Sequence, residues 1–219
     1  MKNSKIKSIK TKTSEVIKVQ SEVWGELFLD KNLAEGILRE FPFVKFIFGG
    51  IKAVKTYQEY LYFRKLILFL ENIQDASEED FRKFSEDAEI NSDNFSHSLL
   101  LILDKIEDER KAVLIAGVFK LYIRNRFSYE KFNKILLIIN RGFCPDLLQI
   151  TVFQDKDVVI GNNKLIETES IEELLSCGLL HNVGIDGGDF EGESGGFMYK
   201  LNQYGEILLQ VVKESDIDL

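Results

Sequence analysis

The chain has 219 residues, 45% of them apolar and 29% charged, with two prolines and a formal net charge of −8. That mixture supplies a packed core and excludes disordered and collagen-like chains, and two cysteines, Cys144 and Cys177, exclude a disulfide framework and fit a reducing cytoplasm. The longest uncharged stretch, Leu174 to Ile185, is 12 residues against the ~20 of a membrane span, and the first 20 residues lack the apolar run of a secretory signal.

The chain opens basic, with six lysines against Glu15 alone in its first 20 residues. Apolar Val16, Ile17, Val23, Trp24, Leu27 and Phe28 then recur at helical spacing from Thr13 to about Leu29. Asp30 caps a second helix through Ala34, Ile37 and Leu38, which ends before Pro42 because a residue preceding proline is pushed out of helical geometry. The next segment holds Phe41, Phe43, Phe46 and Phe48 within eight residues and ends at Gly49-Gly50. Flanked by Lys45, Lys52 and Lys55, it reads either as core or as a surface for a protein partner, a second copy or a membrane.

A helix follows from Tyr60 to about Ile73, with Phe63, Leu66, Ile67, Phe69 and Leu70 on it. Ser77 before Glu78, Glu79 and Asp80 is a cap with an acidic first turn, and Phe81, Phe84 and Ala88 mark that helix's inner face. Asn91 or Ser92 opens the next, through Phe95, Leu99, Ile102, Leu103 and Ile106. The broadest apolar stripe, from Glu109 to Arg126, holds Ala112, Ile115, Ala116, Phe119, Leu121, Tyr122 and Ile123. Ser128 caps a further helix that Gly142 stops, and Pro145 suits the first position of a short one. Short polar joints between such helices indicate a bundle.

The remainder changes character. Val158, Val159 and Ile160 read as a strand ending at a Gly161-Asn162-Asn163 turn. Ser170 and Glu173 have capping-box spacing for a short helix that Gly178 stops. Leu179, Leu180 and Val183 read as a strand, and residues 184–196 as a loop of glycine and acid. Phe197 to Leu201 is a returning strand, and Asn202 caps a final helix with Tyr204, Ile207, Leu208, Val211 and Val212.

The run from Ile171 to Leu180, and the later Tyr199, Leu201, Asn202 and Gly205-Glu206, resemble the helix–wing–helix end of winged-helix domains. The resemblance covers about a third of the chain and implies a winged-helix-like module there; with the helical periodicity before it, the chain reads as a mainly α protein. It would comprise a basic flexible N-terminus (1–12), a helical bundle (13–143) and a winged-helix-like α+β module with an acidic, glycine-rich wing (144–219). Winged helices commonly read DNA with a basic recognition helix. Here the matching helix carries Glu172 and Glu173 and no base, and the wing tip carries Asp186, Asp189, Glu191 and Glu193. Residues 151–219 hold 14 acids and 4 bases. Carboxylates facing phosphate repel it, so the charge favours a protein partner over nucleic acid.

No catalytic constellation is evident. His97 and His181 are isolated in sequence. Cys177 and His181 straddle a helix stop and offer too few ligands for zinc. The acidic loop could supply oxygen ligands to calcium but lacks the EF-hand spacing and reads as a solvated wing. Asp104 and Glu107 are ordinary helix-surface charges, and no phosphate-binding glycine motif or nucleophile elbow is present. The expectation is a non-enzymatic, cytoplasmic interaction protein, without cofactor or metal, that binds a protein partner and self-associates through the phenylalanine segment. Its lysine-, isoleucine- and asparagine-rich texture resembles bacterial accessory proteins of mobile elements or phage defence. Two alternatives are a DNA-binding regulator using the basic N-terminal region and a membrane-active effector using residues 41–70.

Overall fold

The computed structural model describes residues 56–86, 92–124, 126–161, 166–188, 195–215 and 217. The expected helices before residue 56, and the segment with Phe41, Phe43, Phe46 and Phe48, lie outside them. The chain divides into two compact units, Met1–Glu109 and Arg110–Leu219. The expected start of the C-terminal module at residue 144 therefore falls inside the second unit.

In the first unit, α1 (Tyr57–Glu71) begins three residues earlier than the apolar pattern suggests, because Thr56 and Glu59 form a capping box. The Glu59 N–H donates to Thr56 Oγ1 (3.2 Å) and the Thr56 N–H donates to Glu59 Oε2 (2.9 Å), so two orphan donors of the first turn are satisfied. Leu66, Ile67, Phe69 and Leu70 are its buried face. Helix α2 (Glu78–Glu86) starts where its acids indicated, with the Asp80 N–H donating to Ser77 Oγ, and Phe81 and Phe84 buried. Helix α3 (Ser92–Lys105) buries Phe95, Leu99 and Leu103, and Phe95 meets Phe84 edge-on at 5.0 Å.

A lysine clasp joins α1 to α3. Lys65 Nζ donates to the carbonyls of Asp104 (2.8 Å) and Ile106 (3.0 Å), where α3 has run out of internal donors. Beside it, burial and then the Asp104 charge push the Tyr62 hydroxyl up to about 12, and burial pulls Lys65 below its ordinary value against the opposing carboxylates of Asp104 and Glu107. Arg64 pairs with Glu109 at 2.7 Å. Asp104 thus takes part in a clasp through its carbonyl, beyond the surface role its spacing suggests.

The second unit is built around α4 (Arg110–Ile123), which is buried nearly all round. Lys111 is wholly buried near its start, and Nζ donates to the Asn140 carbonyl (3.2 Å) near the end of α5 (Tyr129–Arg141). Ser128 caps α5 as expected, and Tyr122 stacks on Phe132 at 4.7 Å between α4 and α5. Gly142 ends α5, but with φ −70° its reason is space: a Cβ there would press on Leu147 and on Cys177 Sγ. Pro145 occupies the second position of α6 (Cys144–Leu148), one later than expected, and a 3-10 turn (Gln149–Phe153) follows.

Strand β1 (Val159–Ile160), helix α7 (Thr168–Ser176), strands β2 (Leu180–Asp186) and β3 (Gly196–Leu201), and α8 (Gln203–Glu214) complete the unit. The strands form one antiparallel sheet in the order β1-β3-β2, with Val159 opposite Tyr199 and Leu180 opposite Leu201. Asn202 ties the hairpin to α8. Its Oδ1 accepts from the Tyr204 and Gly205 N–H groups, its Nδ2 donates to the Gly178 carbonyl (2.7 Å), and its N–H donates to the Leu179 carbonyl. Gly178 takes φ +82° after α7, the left-handed stop the sequence indicated. The described protein is mainly helical, with eight α-helices and one small sheet among the described residues.

Candidate functional site

The side chains of α7 sort by direction. Ile171 and Leu174 are buried beneath it. The capping-box reading of Ser170 and Glu173 is corrected. The helix starts at Thr168, after Glu167, which makes no side-chain cap bond, so both residues sit inside it and find tertiary partners on α6. Ser170 Oγ donates to Asp146 Oδ1 (2.6 Å), and Glu173 Oε1 accepts from the Phe143 N–H (3.1 Å) at the start of α6. Glu173 is thus structural. Glu169 and Glu172 are exposed, and α7 contains no lysine or arginine. Phe143, whose backbone meets Glu173, exposes 59% of its side.

The hairpin carries the more unusual surface. Residues two apart on a strand share a face, so Phe197, Tyr199 and Leu201 line one side of β3. Tyr199 is buried beside Val159, but Phe197 lies toward the hairpin's far end, past the last residue of β1, with its carbonyl accepting from the Gly161 N–H at 2.8 Å. Ile185 stands directly opposite Phe197 in the register. This cross-strand pair continues the core face of the sheet into solvent, Ile185 at 69% and Phe197 at 53% exposure. Val183, the extra residue of a bulge between Asn182 and Gly184, is also about half exposed. Asp186 follows Ile185 directly, and its Oδ1 accepts from the Gly188 N–H. On the alternate face Lys200 pairs with Asp157 at 3.4 Å.

Of the expected wing contacts, Asp186 lies on the described hairpin, and Asp189, Glu191 and Glu193 lie outside the described residues. Ile185 and Phe197 are the surface residues that sequence reasoning missed. Their alternation with Tyr199 and Leu201 marks a face, but nothing local tells where the core beneath it ends.

Groups that could do chemistry are dispersed. His97 and His181 are exposed on α3 and β2, and Cys144 is buried. The Cys177 thiol is pushed up to about 11, first by burial and then by the hydrogen bond and charge of Glu173, which keeps it protonated at neutral pH. Among the described residues no group of three or more His, Cys, Asp or Glu side chains is placed to hold a metal ion. Among those residues, too, no helix is long and apolar enough to cross a membrane. No protein-family model matches the chain, and no curated protein or solved structure is detectably similar to it.

Proposed function

We propose that the C-terminal unit is a winged-helix-like module that docks a protein instead of reading DNA. Support for the winged-helix reading comes from the order of elements: a first strand, a helix, then a hairpin whose returning strand pairs with the first and leads into a capped closing helix. The position of a recognition helix belongs to α7, whose exposed Glu169 and Glu172 would meet phosphate oxygens in a groove.

One observation carries the docking reading: the exposed, directly opposed Ile185 and Phe197. Fully burying such side chains is worth about 1.5–3 kcal/mol each. Aromatic and aliphatic anchors of this kind dominate binding energy at protein interfaces. The test is photo-crosslinking in the native host with p-benzoylphenylalanine in place of Phe197, and in place of Lys213 on α8 as a control. A discrete protein adduct from position 197, absent from position 213, supports the reading. Adducts to nucleic acid alone, or equal adducts from both positions, refute it.

A further inference from the structure

We infer that the solvent face of α5 docks an acidic, amphipathic helix of a partner protein, at a surface separate from the hairpin. Helix α5 turns Phe132, Ile135, Leu136 and Ile139 inward, and all four are buried. Positions 130, 134, 137 and 141 follow one another at spacings of three and four and share the opposite side. Glu130, Lys134, Leu137 and Arg141 are all exposed there, Leu137 at 51%. Glu130 lies in the first turn, where a carboxylate complements the helix dipole, so helix stability accounts for it. Arg141 suits the last turn for the same reason, but Lys134 and Leu137 serve no such end. Past the first turn the face reads cation, leucine, cation. Lys134 and Arg141 stand about 10.5 Å apart along the axis, with Leu137 between them.

These cations belong to a local excess. Residues 110–145 hold eight lysines and arginines against Glu130 alone, in a chain of net charge −8. Among the described residues no carboxylate forms an ion pair with Lys134 or Arg141, although Glu130 lies one turn before Lys134. The acids beyond the end of α5 are engaged elsewhere: Asp146 Oδ1 accepts from Ser170 Oγ (2.6 Å), and Glu173 Oε1 accepts from the Phe143 N–H (3.1 Å).

Charge complementarity selects the occupant. Phosphate contacts weaken steeply with salt, so the few this face offers would hold nucleic acid poorly at cellular ionic strength, and Leu137 gives a phosphate nothing. A second copy in a symmetric antiparallel arrangement would lay Lys134 against Arg141, like charge on like. An acidic helix answers all three positions at once, with an apolar residue against Leu137 and a carboxylate about one turn to either side. The apolar centre supplies affinity, and the charges supply orientation and rate.

The test titrates isotope-labelled full-length protein, at a salt concentration of about 150 mM, with a helical peptide of about five turns. The peptide carries glutamates seven positions apart with a leucine between them. Its binding is expected to shift the amide signals of residues 130–143 and to leave those of 180–186 and 196–201 in place. Lys134→Glu with Arg141→Glu should weaken binding about tenfold. Leu137→Ser should weaken it about fivefold. The same peptide with lysines for its glutamates should bind the charge-reversed protein as the original binds the natural one, a rescue that a folding defect could not give. No binding, equal binding of a peptide with glutamines for its glutamates, or shifts centred on the hairpin would overturn the inference. So would tighter binding of duplex DNA, or a dimer seen by light scattering, if either is lost on the same charge reversal. Any of these results leaves the crosslink expected at position 197 as it was, so the two surfaces stand or fall separately.

Discussion

The α1–α3 clasp and the β2–β3 hairpin handle their side chains in opposite ways. At the clasp, long charged residues are engaged with polar groups of the fold. Lys65 serves the carbonyls of Asp104 and Ile106 at and just past the end of α3, Arg64 serves Glu109, and Glu59 closes its own helix start. At the hairpin, apolar residues turn outward, and Ile185 and Phe197 extend the core face past the core itself. Charges engaged with the fold are accounted for by stability. Apolar area held in water is not, because leaving it there forgoes the burial that drives folding. The contrast is the reason for proposing a docking role for the second region, while the first is explained by architecture.

The largest expected effect strikes the base of the hairpin. Gly205→Ala would drive a Cβ into the Leu179 carbonyl, and a clash with backbone leaves little room to relax. A loss of about 3 kcal/mol in denaturant-derived stability is expected. An unchanged midpoint would show that the hairpin is not fastened to α8 by that close approach. Next in size, Lys65→Met should cost about 1 kcal/mol by leaving two helix-end carbonyls without their donor. No loss there would erase the contrast between the two regions.

Alkaline unfolding probes the clasp more gently. The Tyr62 hydroxyl is held near 12 in the folded chain against an ordinary value of 10. As pH rises from 10 to 12 the unfolded state therefore loses its proton first, and stability falls across that window. In Tyr62→Phe that contribution to the slope should vanish, as alkaline titration of the unfolding free energy would reveal. The smallest expected change is the most telling. Ile185→Ser with Phe197→Ser should alter stability by less than about 1 kcal/mol, since Ile185 is mostly and Phe197 half in water and their cross-strand contact is a modest one. A large loss would make the pair part of the core and remove the reason for assigning it a partner.

Much of the described fold is legible in the residues because its signals are local. Ser77, Ser128 and Asn202 each cap the helix expected of them, and Gly178 adopts the left-handed stop, since all four act within a few residues of themselves. Features that depend on distant chain are not legible. Ser170 and Glu173 have the spacing of a cap, but Asp146 and the Phe143 N–H lie within their reach and claim both side chains. The burial of Lys111 depends on a carbonyl 29 positions away. For the candidate site, the acid character was plain from composition. The exposure of Ile185 and Phe197 was not, since alternation reveals which face a strand turns to the core but not how far that core extends.

The most direct test of the hairpin's role is a fluorine resonance from trifluoromethylphenylalanine placed at position 197, recorded in purified protein and in native-host lysate. Docking to a protein predicts a broadened, displaced line in lysate that survives nuclease treatment. A line identical in both settings, or one restored by nuclease, would contradict it.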